Sequence, residues 1–129
     1  MTNIITVVAD ITQPSPGLGW ENTEKITLLN RLSGDVVMLL ALVHHLCISK
    51  NIPLNFVAKM AASMTKQYAI VEFVPKTDSK TQLLLNARTD IFTNYTEDCF
   101  IASFMQYFTL INVHQCQSSG RKLYLWAKK

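Results

Sequence analysis

Three apolar runs, IITVVAD at 4–10, DVVMLLALV at 35–43 and YAIVEFV at 68–74, are separated by segments of helical periodicity. This alternation constrains the fold most, because strands that alternate with helices need crossover connections and so build a parallel sheet with helices packed on it. The runs are apolar at consecutive positions, the pattern of strands buried on both faces. The second run is ambiguous between strand and buried helix; its length and the helix stop just before it favour a strand.

The intervening segments carry their own signals. ITQPSPGLGW at 11–20 holds two prolines and two glycines and reads as a loop. Residues 21–34 place Ile26, Leu28, Leu29 and Leu32 near helical spacing, with acids in front, Arg31 near the end and Gly34 as a stop, which predicts a short helix. At 51–66, Pro53 suits a first turn, and Leu54, Phe56, Val57, Met60, Ala61 and Met64 make an apolar face. A small helix is expected over 82–87, standing off the sheet, and another opens at Thr96 with acids in its first turn. TLINVHQC, QSSG and RKLYLWAK, residues 109–128, then read as a hairpin.

A length of 129 residues suits one domain spanning 1–129. The net charge of +3 is mild and its cations are scattered, so the electrostatic footprint of a nucleic-acid binder is missing. Arg121-Lys122 and Lys128-Lys129 read as a solvated rim. Cys47, Cys99 and Cys116 are odd in number and far apart, which favours reduced thiols in a cytoplasmic protein over disulfides or zinc. The opening residues lack a signal-peptide pattern, and the longest apolar run, 36–43, is too short to span a bilayer.

Sheets of this kind bind ligands outside the carboxyl ends of their strands. Here those ends are Asp10, Val43-His44-His45 and Pro75-Lys76. Adjacent histidines do not share a face as an i, i+4 zinc pair does, so no metal site is expected. Two readings of the pair remain: a histidine acts as general base, or His44 caps the core while His45 meets solvent. Asp10 is either a ligand acceptor or an acid bonding the turn amides that follow. Lys76 and Asp78 are either substrate-side groups or surface charge. Glu72, inside an apolar run, needs a partner, and Arg88 or Lys76 are nearest in sequence. Trp20 and Trp126 read as packing anchors, and Phe100, Phe104 and Tyr107 as core.

VVADITQPSPGLGW, GDVVMLLALVHHLCISKNIPL, IVEFVPKTD, RTDIF with Tyr95, and RKLYLW together resemble the carboxyl-terminal half of class I S-adenosylmethionine-dependent methyltransferases. The likeness is nearest to a bacterial group labelled nodulation-related, and it covers nearly the whole chain. It implies a Rossmann-like sheet in the spatial order three, two, one, four, five, seven, six, with the last strand antiparallel. Residues 4–10 would be the third strand, 35–43 the fourth, 68–74 the fifth, and the hairpin the sixth and seventh. It also implies that Asp10, Ile11 and Thr12 contact the cofactor and that the segment holding His44 and His45 borders cofactor and substrate, which makes the two histidines candidate catalytic groups; Lys76 and Asp78, beyond the fifth strand, are candidates for the substrate side. The first strand with its glycine-rich loop and the second strand have no counterpart, and Gly17, Gly19, Gly34 and Gly120 do not form that fingerprint.

The expected fold is therefore a partial methyltransferase sheet, mostly parallel with an antiparallel hairpin, helices on both faces and the first two strands missing. The expected function is that of a truncated, methyltransferase-related half carrying the substrate side, weak or inactive alone, acting on an unknown methyl acceptor and not on nucleic acid or membrane. The alternative is a non-enzymatic interaction module. In either case the open edge of the fourth strand is expected to mediate homo-oligomers or to be covered by direct docking of the third strand beside it.

Overall fold

The computed structural model describes residues 3–86, 89–117 and 119–129. The chain divides into two compact units, residues 1–32 and 33–129.

In the first unit, residues 4–10 form no strand, and Ile5 and Val8 are 90% and 105% exposed. This corrects the expectation of a third strand. A β-branched run becomes a strand only where a ladder partner satisfies its backbone, and no strand pairs with this one among the described residues. Leu18 and Lys25 bridge a loop containing the turn Trp20–Asn22. The expected helix over 21–34 contracts to one turn, α1 (Leu28–Arg31), whose Thr27 hydroxyl accepts from the Asn30 amide. Trp20, read above as a packing anchor, is 76% exposed.

The second unit is built on a four-stranded sheet. Its strands are β1 (Gly34–Leu39), β2 (Thr65–Phe73), β3 (Phe108–Gln115) and β4 (Lys122–Lys128), in the spatial order β1-β2-β4-β3. β1 and β2 are parallel, and β4 runs antiparallel to both β2 and β3. The sheet is therefore mixed and not mostly parallel: the closing hairpin inserts its second strand between β2 and its own first strand.

The β1–β2 crossover is α2 (Leu54–Met64), where Leu54, Val57, Ala58, Ala61 and Ala62 recur at helical spacing and are buried. Two further helices follow, α3 (Ser79–Asn86) and α4 (Glu97–Met105). Ala87 and Arg88 lie outside the described residues. α4 starts as expected, with the Thr96 hydroxyl accepting from the Cys99 amide at 3.2 Å and two acids in the first turn.

α2 and α4 pack on each other and on the sheet. Val37, Ala69 and Trp126 are in cross-strand register, and the core lies on their face. Phe100 is its hub, with ring centroids 4.7 Å from Phe104, 4.9 Å from Tyr124 and 5.0 Å from Phe73. Phe104 stacks on Trp126 at 5.5 Å, and these rings are fully or nearly fully buried. Tyr107 is only half-buried, and Phe108 takes the core position beside it.

The opposite face differs. Val36, in register with Tyr68, and Met38, in register with Ile70, are 49% and 57% exposed. Helices on both faces were expected; over β1, among the described residues, this second face is uncovered. The outer edge of β1 likewise has no paired strand among them.

Candidate functional site

The expected strand over 35–43 stops at Leu39. Two residues later Ala41 adopts φ +51, a left-handed conformation unusual for a residue with a Cβ. Its amide donates to Glu72 Oε1 at 2.9 Å, and this bond holds the strained turn in place. The chain is thereby redirected into a π-helical turn, His45–Ser49, closed by the Lys50 amide donating to the His45 carbonyl. His44 and His45 thus open a helical turn beyond the strand instead of forming the strand's polar end.

The two histidines part company there. His44 is 1% exposed and His45 is exposed, with ring centroids 4.3 Å apart and the planes tilted by 40°. No described residue bonds His44 Nδ1, so the backbone bond expected of a capping histidine is not made at that nitrogen. Burial, assisted by His45 and the positive charge of Arg121, lowers its pKa to about 4. His44 is therefore a neutral imidazole at neutral pH, suited to hydrogen bonding with an acceptor or donor and weak as a store for a proton.

A charged cluster ties the strand ends together. Arg121, at the entry to β4, donates to both carboxylate oxygens of Asp78, from Nε at 2.8 Å and from Nη2 at 3.1 Å. Its Nη1 reaches Glu72 Oε1 at 3.4 Å. Asp78 also accepts from the Lys80 amide at 2.9 Å. The Arg121 bonds pull the Asp78 carboxyl down to about 2 against the opposing effect of its burial. One guanidinium thus joins β2, the segment after it and β4, while Glu72 extends the link to the turn that delivers His44.

Glu72 therefore finds its partner in Arg121, 49 residues away, and not in Lys76. Arg88, the other expected partner, lies outside the described residues. Lys76 pairs instead with Asp90 at 3.2 Å. The two substrate-side candidates are thus both engaged, Asp78 as a buried member of the cluster and Lys76 in a more exposed pair. Arg121 is the residue that sequence reasoning missed, reading it as solvated rim. The signal was indirect: a carboxylate within an apolar strand demands a cation at the same sheet end.

Asp10, Ile11 and Thr12 belong to the first unit. Asp10 Oδ1 accepts from the Thr12 amide at 2.9 Å and from its hydroxyl at 2.6 Å, the turn-forming role considered for it above. All three cysteines are free, and burial pushes the Cys47 thiol up to about 12, leaving it protonated and unreactive. Among the described residues no three His, Cys, Asp or Glu side chains are grouped to hold a metal, and no helix is long and apolar enough to cross a membrane.

No family model matches the chain, and no solved structure matches it. The chain is similar to a curated protein of Rhizobium meliloti (strain 1021) named nodulation protein NoeA, with 35% identity over 126 residues. The match covers 98% of this chain and 26% of that protein, so the chain spans about a quarter of its relative's length.

Proposed function

We propose that this chain is the acceptor-side half of a class I methyltransferase domain and that it is inactive alone. The observation that carries this reading is the strand order. β1-β2-β4-β3, one parallel pairing followed by two antiparallel ones, is the order that the resemblance implies for strands four, five, seven and six. The rim it creates, with strained Ala41 and buried His44 after β1, lies where open α/β sheets receive ligands.

S-adenosylmethionine would supply the activated methyl group, but the residues present do not make its site. Asp10 spends Oδ1 on Thr12. A Cβ on Gly17 or Gly19 would collide with Asn22 or Glu24 respectively, so these glycines serve the chain's own turn and leave no cradle for a ligand. The role assigned to this half is to hold the acceptor against a dry, neutral imidazole, and positioning is the main protein contribution to such a transfer.

The test is calorimetric titration with S-adenosylhomocysteine of this chain, of nodulation protein NoeA, and of a chimera in which this chain replaces the 126 matched residues. The expected result is no binding by the chain alone and binding by the other two. Absence of binding by both longer proteins would refute the reading.

A second reading, an interaction module without catalysis, is favoured by the β1 edge, which has no paired strand among the described residues, and by exposed Val36, Met38 and Leu40. It expects a concentration-dependent dimer in sedimentation, abolished by Met38→Lys. A monomer at all concentrations would refute it.

A further inference from the structure

A cavity of about 440 Å³ opens between the start of α2, residues 91–95 and α4. That volume falls within the range of small-molecule sites. No residue of the Glu72–Arg121–Asp78 cluster lines it, and neither histidine of the π-helical turn does; the turn contributes only Cys47.

The lining has a consistent chemistry. Ile52, Leu54, Ile91 and Phe92 supply apolar wall, while four carboxamides, Asn51, Asn55, Asn94 and Gln106, supply polar edge. No Asp, Glu, Lys, Arg or His is among the lining residues. The Tyr95 hydroxyl is committed to the Val74 carbonyl, and the buried Cys47 thiol stays protonated. Among the described residues, none of the four carboxamide side chains is engaged in a hydrogen bond. Asn51 is held at φ +58 in the turn leading to Pro53.

The four carboxamides are exposed at the edge of the cavity, and a charged ligand seated against the apolar wall would give up part of its hydration and meet no counter-ion among the lining residues. Each carboxamide offers both donors and acceptors, so an uncharged amide or hydroxyl can be satisfied reciprocally. From the neutral lining, the apolar wall and the unused carboxamides, we infer that this cavity binds an uncharged small molecule with an apolar ring and an amide- or hydroxyl-bearing edge. The inference is independent of the methyltransferase reading, since it requires neither His44 nor a cofactor.

Three probes of nearly the same shape separate the possibilities: benzamide is neutral, benzoate anionic and benzamidinium cationic. Each is titrated into the full chain, with the side-chain NH₂ signals of the asparagines and glutamines followed by NMR. Benzamide is expected to shift the signals of Asn51, Asn55, Asn94 and Gln106 saturably, with at least about tenfold weaker effects from both ions, a difference of about 1.4 kcal/mol. Ala102→Trp, which fills the cavity from α4, abolishes the shifts. Asn55→Asp, at an exposed position that tolerates the change, reverses the preference towards benzamidinium. Equal or tighter binding of either ion by the unaltered chain would overturn the inference. So would shifts spread outside the cavity, an absence of saturation, or an unchanged preference in Asn55→Asp.

Discussion

Acidification from pH 7 to pH 5 is expected to destabilise the second unit through His44. The folded pKa of about 4 lies below the ordinary 6.5, so the unfolded chain binds the proton more readily. The stability from this histidine is thus fully present above about pH 6.5 and is lost as pH falls towards 4. At pH 5 the unfolded imidazole is almost wholly protonated, while the folded one is about nine-tenths neutral, which gives a loss of about 2 kcal/mol relative to pH 7. His44 is 1% exposed, so solvent screening leaves this figure largely intact. Urea denaturation at the two pH values measures it, with His44→Leu as the comparison. The native chain should lose about 2 kcal/mol more than the variant between the two conditions. Parallel losses would refute the argument and mean that His44 is hydrated, or paired, in solution.

Other perturbations address the cluster and the core. Arg121→Met should cost about 3 kcal/mol by leaving the Asp78 carboxylate buried and unpaired. Arg121→Met combined with Asp78→Asn should cost less than the sum of the single changes, as read by a double-mutant cycle in urea. Asp78 itself predicts a second acid transition: with its pKa lowered to about 2 from 3.8, its stabilisation is complete above about pH 4 and disappears as pH falls through 2. Circular dichroism along an acid titration checks it, with Asp78→Asn lacking that step. Trp126→Ala removes the ring stacked between Phe104 and Tyr124 and should cost about 3–5 kcal/mol. Iodide quenching should separate exposed Trp20 from buried Trp126, and the surviving fluorescence of Trp126→Ala should be almost fully quenchable.

Much of the architecture was legible where local chemistry and tertiary packing agreed. Thr96 with Glu97 and Asp98 marks the start of α4, and the polar QSSG between two apolar runs marks the β3–β4 hairpin, as found. The error over residues 4–10 has a different origin. Their composition favours a strand, but strand formation also requires a neighbour to take up backbone donors and acceptors, and composition does not report whether that neighbour exists. The site was less legible still. Ala41 carries no sequence mark of a left-handed conformation, and the Arg121–Glu72 pairing spans 49 residues.

By itself the sequence determined the local elements: the apolar period of α2, the cap of α4, the strand character of β2 and β4, and a carboxylate at Glu72 that had to be paired. Tertiary structure decided that residues 4–10 would join no strand and that the outer edge of β1 would have no paired strand among the described residues. It also decided that the adjacent histidines would differ, one exposed and one a buried neutral imidazole within the field of Arg121. The physical reason is that capping and periodicity act over one or two turns of chain, whereas strand pairing, burial and ionisation depend on neighbours that only the folded sheet brings together.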